Sequence, residues 1–200
     1  QAPNGTDFKC WLIPGGVWHG GSDTLASTGV EYNPNMPSEE VFTSPLRGKC
    51  EGTVASTLPL SYQGTVIDSF SMDFKDGRAV AVHAQEHQDL LEKMITMDEG
   101  AAMVGELALV PHDSPISNSG VLFYNTLFDE NAACHIAMGR GFNETLPGFA
   151  DMDKEQRKEA GVNDSMIHVD FMIGCKELNI TGYTRDGREV AIFRDGGWAI

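Results

Sequence analysis

Apolar and polar positions alternate over Gly52–Thr57 and again over Thr65–Phe74, the two-residue period of strands with one buried face. The second run ends in Lys75-Asp76-Gly77-Arg78, where Asp-Gly supplies the positive φ values of a tight hairpin. Arg78–Ala84 is the return strand. Upstream, Phe8–Ile13 reads as a strand, and Gly15-Gly16 and Gly20-Gly21 leave Pro14–Val30 mostly loop. Asn33–Pro45 is bounded by prolines, which restrict the chain to an ordered loop or short turn. The period changes at Gln88–Met97, where Leu90, Leu91, Met94 and Ile95 share a helical face until Asp98-Glu99-Gly100 ends it.

Val104–Val110 is a mostly apolar run between Gly105 and Pro111, a buried strand. His112–Gly120 is a polar loop, and Val121–Phe128 is an apolar approach, strand or helix start. The pattern predicts a helix over Asp129–Met138 closed by Gly139, capped by Asp129, with Glu130 in its first turn. Arg140–Asn163 is loop-rich around a charged segment, Asp151–Ala160. Ser165–Gly174 reads as a strand. Glu177–Thr184 and Glu189–Arg194 flank a second Asp-Gly turn at Arg185–Arg188. Without parallel βαβ alternation the class is α+β: a strand-rich mixed sheet with two Asp-Gly hairpins and two or three helices. The 200 residues, 41% hydrophobic, suit one domain with a real core.

Charge narrows the partners. Fourteen Lys and Arg stand against 29 Asp and Glu, a net −15. That excludes nucleic acid and anionic membranes as expected partners, since phosphate contacts need clustered cations. No apolar run approaches a membrane span, and QAPNGTDFKC does not read as a signal peptide. The four cysteines, at 10, 50, 134 and 175, form no CxxC pair. Reduced thiols and a cytoplasmic setting are the default expectation. Cys134 beside His135 suggests a nucleophile, but neighbours in sequence point in different directions on a helix, so a small buried residue is expected. His83 and His87 lack an HExxH frame and read as surface histidines.

Three places carry possible metal chemistry. Glu106 is an anomalous acid in an apolar strand, costly to bury unless paired or metal-bound; an exposed strand start or an arginine partner is the structural alternative. His168 and Asp170 lie two apart on a strand and share a face, a compact donor pair or else a simple His–Asp hydrogen bond. His135 lies among small and apolar neighbours, Ala132, Ala133, Ile136 and Ala137, and is equally a satisfied core histidine. Glu39 and Glu40 sit on the proline-bounded loop, as a ligand position or as favourable acids at a helix start. Carboxylate and imidazole together suit borderline metals.

The blocks NMPSEEVFTSP, GELALVP, SPIS with FYNTLFDENAACHIAMG, SMIHVDFMIG and ITGYTRDGREVAIFRDGGWA jointly resemble the C-terminal, metal-binding part of the thermophilic-type metallo-aminopeptidases. The resemblance spans nearly all of the chain; the family's N-terminal α/β domain is expected to be absent from these 200 residues. It implies two divalent ions (Zn, Co, Mg or Mn) held by Glu40, Glu106, His135, His168 and Asp170, with Glu106 bridging. It also implies a homodimer, peptide substrates and release of N-terminal residues by a metal-activated water. Glu39, beside a ligand, is the candidate base. The family's metal-site tyrosine is replaced by Phe142, which can neither ligate nor donate. The alternative is therefore a catalytically impaired or metal-free assembly domain.

Overall fold

The computed structural model describes residues 1–200. The first half supplies β1 (Asp7–Leu12), β2 (His19–Gly20), β3 (Asp23–Leu25), β4 (Val30–Tyr32), β5 (Val41–Thr43), β6 (Pro45–Ala55), β7 (Leu60–Tyr62), β8 (Thr65–Ile67), β9 (Ser71–Lys75), β10 (Arg78–His83) and helix α1 (Gln88–Ile95). The second half supplies β11 (Val104–Leu109), the short helices α2 (Pro115–Ser119) and α3 (Thr126–Asp129), β12 (His135–Gly139), α4 (Lys154–Ala160), β13 (His168–Met172), β14 (Ile180–Tyr183), β15 (Glu189–Arg194) and β16 (Gly197–Trp198). The α+β expectation holds. The strands divide among five sheets, and every pairing is antiparallel.

Two sheets organise the molecule: β1-β6-β9-β10 and β13-β12-β11-β5-β2. The main core fills the space between them and α1. It joins Val54, Met72, Phe74 and Val82 to Leu91 and Met94, and to Ile136, Met138 and Phe171. Phe70 and Phe171 meet at 5.0 Å between ring centres. Both Asp-Gly turns form. At the first, Asp76 and Gly77 both have positive φ, 51° and 76°, the hand that matches the twist of the flanking strands. The charged segment after Asp151 becomes α4, closed at its start by a capping box between Asp153 and Gln156. The polar loop after His112 contains α2, with the Ser114 hydroxyl accepting from the Ser117 amide.

One predicted element is wrong in kind. The helix expected over Asp129–Met138 stops early: α3 ends at Asp129, one 3-10 turn covers Glu130–Ala132, and Ala133 is already extended at φ −159° and ψ 159°. His135–Gly139 is instead the strand between β11 and β13, buried at all five residues. Alanine is the best helix former, but propensity is a weak prior that tertiary context overrides, and a short apolar run with both faces covered reads alike as helix or strand. Tertiary pairing decides it. Gly139 ends that strand, and Asp129 does not cap a following helix. Its carboxylate accepts the amides of Phe123 (2.8 Å) and Asn125 (3.0 Å).

Candidate metal centre

The site lies on the face of β11, β12 and β13 turned away from the main core. Pairing sets its rows: Glu106 faces Ala137, which faces Asp170, and Ala108 faces His135. Strand alternation then sends Glu106, His135, His168 and Asp170 to one side, and Leu107, Ile136, Met138 and Phe171 to the other. A register shift between Val104 and Glu106 makes this possible. Without it Val104, a core residue, and Glu106 would share a face; the extra residue re-aims the carboxylate. That residue is Gly105, where any Cβ would lie 2.3 Å from the Gly139 carbonyl oxygen.

Glu40 arrives from the loop immediately before β5. Its Oε2 lies 3.0 Å from His135 Nε2. His168 Nε2 lies 3.2 Å from Glu106 Oε2 and 3.4 Å from Asp170 Oδ1. Both imidazoles are anchored from behind: Nδ1 of His135 donates to the Ala133 carbonyl (3.0 Å), and Nδ1 of His168 to the Arg140 carbonyl (2.6 Å). Those bonds leave both Nε2 atoms aimed at carboxylates, the arrangement that orients metal-binding histidines. The five ligand positions expected from the sequence are therefore brought together. Their donor atoms, with one from Glu130, form three overlapping groups, Glu40–Glu106–His135, Glu106–His168–Asp170 and Glu130–His135–Asp170, each within 4.8 Å.

The cluster is short of positive charge. Glu106, His135 and Asp170 are only 3%, 1% and 7% exposed, and no Lys or Arg pairs with any acid of the group. Glu40 Oε2 and Asp170 Oδ1 are buried without a hydrogen bond: they approach the imidazoles but are not aligned to accept from them. Buried polar atoms in this state are rare and call for a partner. Burial pushes the Glu106 carboxyl up to about 7, with help from the neighbouring charges of Asp170 and Glu40. It pushes Glu130 up to about 8, again with Asp170 adding. Burial opposes charge on the imidazoles, but the surrounding carboxylates outweigh it. Glu40, Glu106 and Asp170 raise His135 to about 10, and Asp170 and Glu106 raise His168 to about 11. Each shift expresses one demand, for cations among clustered acids. The donor set and the unpaired oxygens fit divalent metal.

A family model described as thermophilic metalloprotease (M29) matches residues 1–198. The chain belongs to that family. It is 50% identical over 200 residues to aminopeptidase 2 of Geobacillus stearothermophilus, covering 100% of this chain and 48% of that protein. It is 47% identical over 196 residues to aminopeptidase AmpS of Bacillus subtilis (strain 168), covering 98% and 48%. The solved structure of wild-type AmpT from Thermus thermophilus superposes with a TM-score of 0.92 at 40% identity, covering 100% of this chain and 49% of that one. This M29 chain thus spans about half the length of the curated relatives it matches.

Sequence reasoning missed Glu130. Treating Asp129–Met138 as one helix made it a first-turn acid; the 3-10 turn and extended Ala133 fold it back beside His135 and Asp170. The only signal was an acid just ahead of the small-residue run Ala132-Ala133-Cys134. Glu39 is exposed and its side chain makes no ion pair; it neighbours the cluster without joining the three donor groups. Phe142 packs edge-on against His168, 4.9 Å between ring centres, and against Phe42 at 4.9 Å, so an apolar ring walls the imidazole. Cys134 is excluded as a nucleophile: it is 2% exposed, and burial raises its thiol to about 12. His83 and His87 are exposed, as expected. No helix is long and apolar enough to cross a membrane.

Proposed function

We propose that this M29 chain carries the catalytic centre of a metal-dependent aminopeptidase, releasing N-terminal residues from peptides. The observation that carries this is the buried, cation-deficient cluster of four carboxylates and two back-anchored imidazoles. Glu40, Glu106, Glu130, His135, His168 and Asp170 would hold two divalent ions, of Zn, Co, Mg or Mn. Glu106, His135 and Asp170 each belong to two of the donor groups, and Glu106 would be the carboxylate shared between the ions. When bound, such a pair supplies a water acidified toward neutral pH and polarisation of the scissile carbonyl.

The chain's own residues do the rest. The Ala133 and Arg140 carbonyls keep both imidazoles in the tautomer with Nε2 free. The Phe42–Phe142 pair shields one side of His168 from water. Glu39, next to Glu40 in the chain, would take a proton from the attacking water as its oxygen bonds to the carbonyl carbon. It then returns that proton to the amine nitrogen as the C–N bond breaks. The products are a free amino acid and a peptide shorter by one residue.

The test is hydrolysis of aminoacyl-p-nitroanilides or aminoacyl-coumarins by the full-length protein with added Zn²⁺, Co²⁺, Mg²⁺ or Mn²⁺. Release that chelation abolishes and metal restores is expected; no metal-dependent release sinks the enzyme reading. Phe142, standing where the resemblance implies a tyrosine, favours the second reading, an impaired domain that still binds metal. Calorimetric Zn²⁺ binding of about two ions without turnover would select it.

A further inference from the structure

Outside the strand ladders, residues 37–40 make two hydrogen bonds, and both go to one side chain. Asn131 Oδ1 accepts the Glu39 amide at 2.7 Å, and Asn131 Nδ2 donates to the Pro37 carbonyl at 3.3 Å. The other Nδ2 hydrogen goes to the Leu127 carbonyl at 3.0 Å. The amide is thus used at both ends, in a residue 1% exposed. Its own carbonyl is held by the fully buried Ser114 hydroxyl, which donates at 2.8 Å.

The location gives these bonds consequence. The tied loop ends in Glu40, whose carboxylate faces His135. Asn131 follows Glu130 directly and precedes His135 by four residues. Glu40 has little else to fix it, since β5 is only three residues long and begins after it. We infer that Asn131 is a positioning residue: it locks the Glu40 loop against the Glu130–His135 segment, so that donors from two distant parts of the chain converge on one ion. A side-chain amide suits the task, because it accepts from one backbone group while donating to two others. Alanine makes none of these bonds, and Asp accepts but does not donate. The inference rests on the metal-centre reading above, and on a division of labour within it. Glu106, His168 and Asp170 come from β11 and β13, whose ladders position them without Asn131.

The test is calorimetric titration of the metal-free, full-length protein with Zn²⁺. It compares wild type with Asn131→Ala, Asn131→Asp and Ser114→Ala, using Glu40→Gln and His168→Ala to identify the two ions. Asn131→Ala is expected to weaken the Glu40-dependent ion by about 10–100-fold, the usual loss when an outer partner of a ligand is removed. The His168-dependent ion should stay within about twofold. Asn131→Asp, which keeps the acceptor for the Glu39 amide, should fall between. Ser114→Ala, which loosens the same segment without touching residues 37–40, should leave both ions near wild type. Unchanged affinity at the Glu40-dependent ion overturns the inference. So does equal weakening of both ions, or failure of both Asn131 variants to fold, since either makes Asn131 merely structural. Failure of the underlying reading looks different: wild type itself would bind no ion sensitive to Glu40→Gln.

Discussion

The two faces of β11, β12 and β13 make opposite demands on the same backbone. On one, Ile136, Met138 and Phe171, each 0% exposed, pack against the second sheet and need nothing but complementary shape. On the other, buried Glu106, His135 and Asp170 meet half-buried Glu40 and His168, with two carboxylate oxygens unpaired. One face stabilises the fold; the other stores a cost that a bound cation would relieve. A residue's burial therefore says little about its purpose until its partners are counted. Asp98 shows what a satisfied carboxylate looks like in this chain. It accepts from the amides of Gly100, Ala101 and Met166 and from the Ser165 hydroxyl.

Substitutions on the two faces should separate the two roles. The largest effect is expected for Glu106→Gln and His135→Ala. Metal affinity should fall by at least about 100-fold, the upper end of what even outer partners contribute, and peptidase activity should go with it. Melting of the metal-free Glu106→Gln protein should stay unchanged or rise, because one acid is removed from a buried cluster short of cations. A large fall in metal-free stability would break the comparison. Phe171→Ala on the opposite face should do the reverse. It should cost about 3–5 kcal/mol of stability, lowering Tm by on the order of 10 °C, while zinc titration of the folded protein stays near wild type.

Asp98→Ala is expected to cost about 1–3 kcal/mol for its lost hydrogen bonds, with metal affinity retained. Partial burial works against this carboxylate's charge, but its amide and hydroxyl donors outweigh that and hold it below the usual range. As pH falls, the unfolded chain takes up this proton first, near about 3.9. The contribution is thus complete above that value and lost as pH drops through the lower folded one. Denaturation series from about pH 5 downward through pH 3 on wild type and Asp98→Asn should show a shallower loss of stability in the variant below about pH 4. The smallest effect is expected for Phe142→Tyr, which places a hydroxyl on the ring beside His168. A change of a few-fold in turnover with Tm near wild type would link that position to chemistry; a drop in Tm alone would make it a packing residue.

How much of this was readable in the sequence depended on the range of the interaction. The His168–Asp170 pair follows from strand periodicity alone, and Glu106 announced itself as an acid in an apolar run. The hairpin at Asp76-Gly77 needed only turn chemistry. The meeting of Glu40 with His135, 95 positions apart, is tertiary and was visible only through the family resemblance. The segment Glu130–Gly139 was misread because its alanines suit a helix locally, whereas a strand there completes a sheet between β11 and β13. Glu130 was lost with that misreading, and so was the register shift at Gly105, which no local pattern encodes.

The most direct measurement is an anomalous difference map at the zinc edge from crystals of the Zn²⁺-loaded protein. Two peaks are expected among Glu40, Glu106, Glu130, His135, His168 and Asp170, with nitrogen and oxygen ligands at about 2.0–2.2 Å. A map with no peak in that cluster, whether zinc lies elsewhere or nowhere, would contradict the assignment of this face as a metal centre.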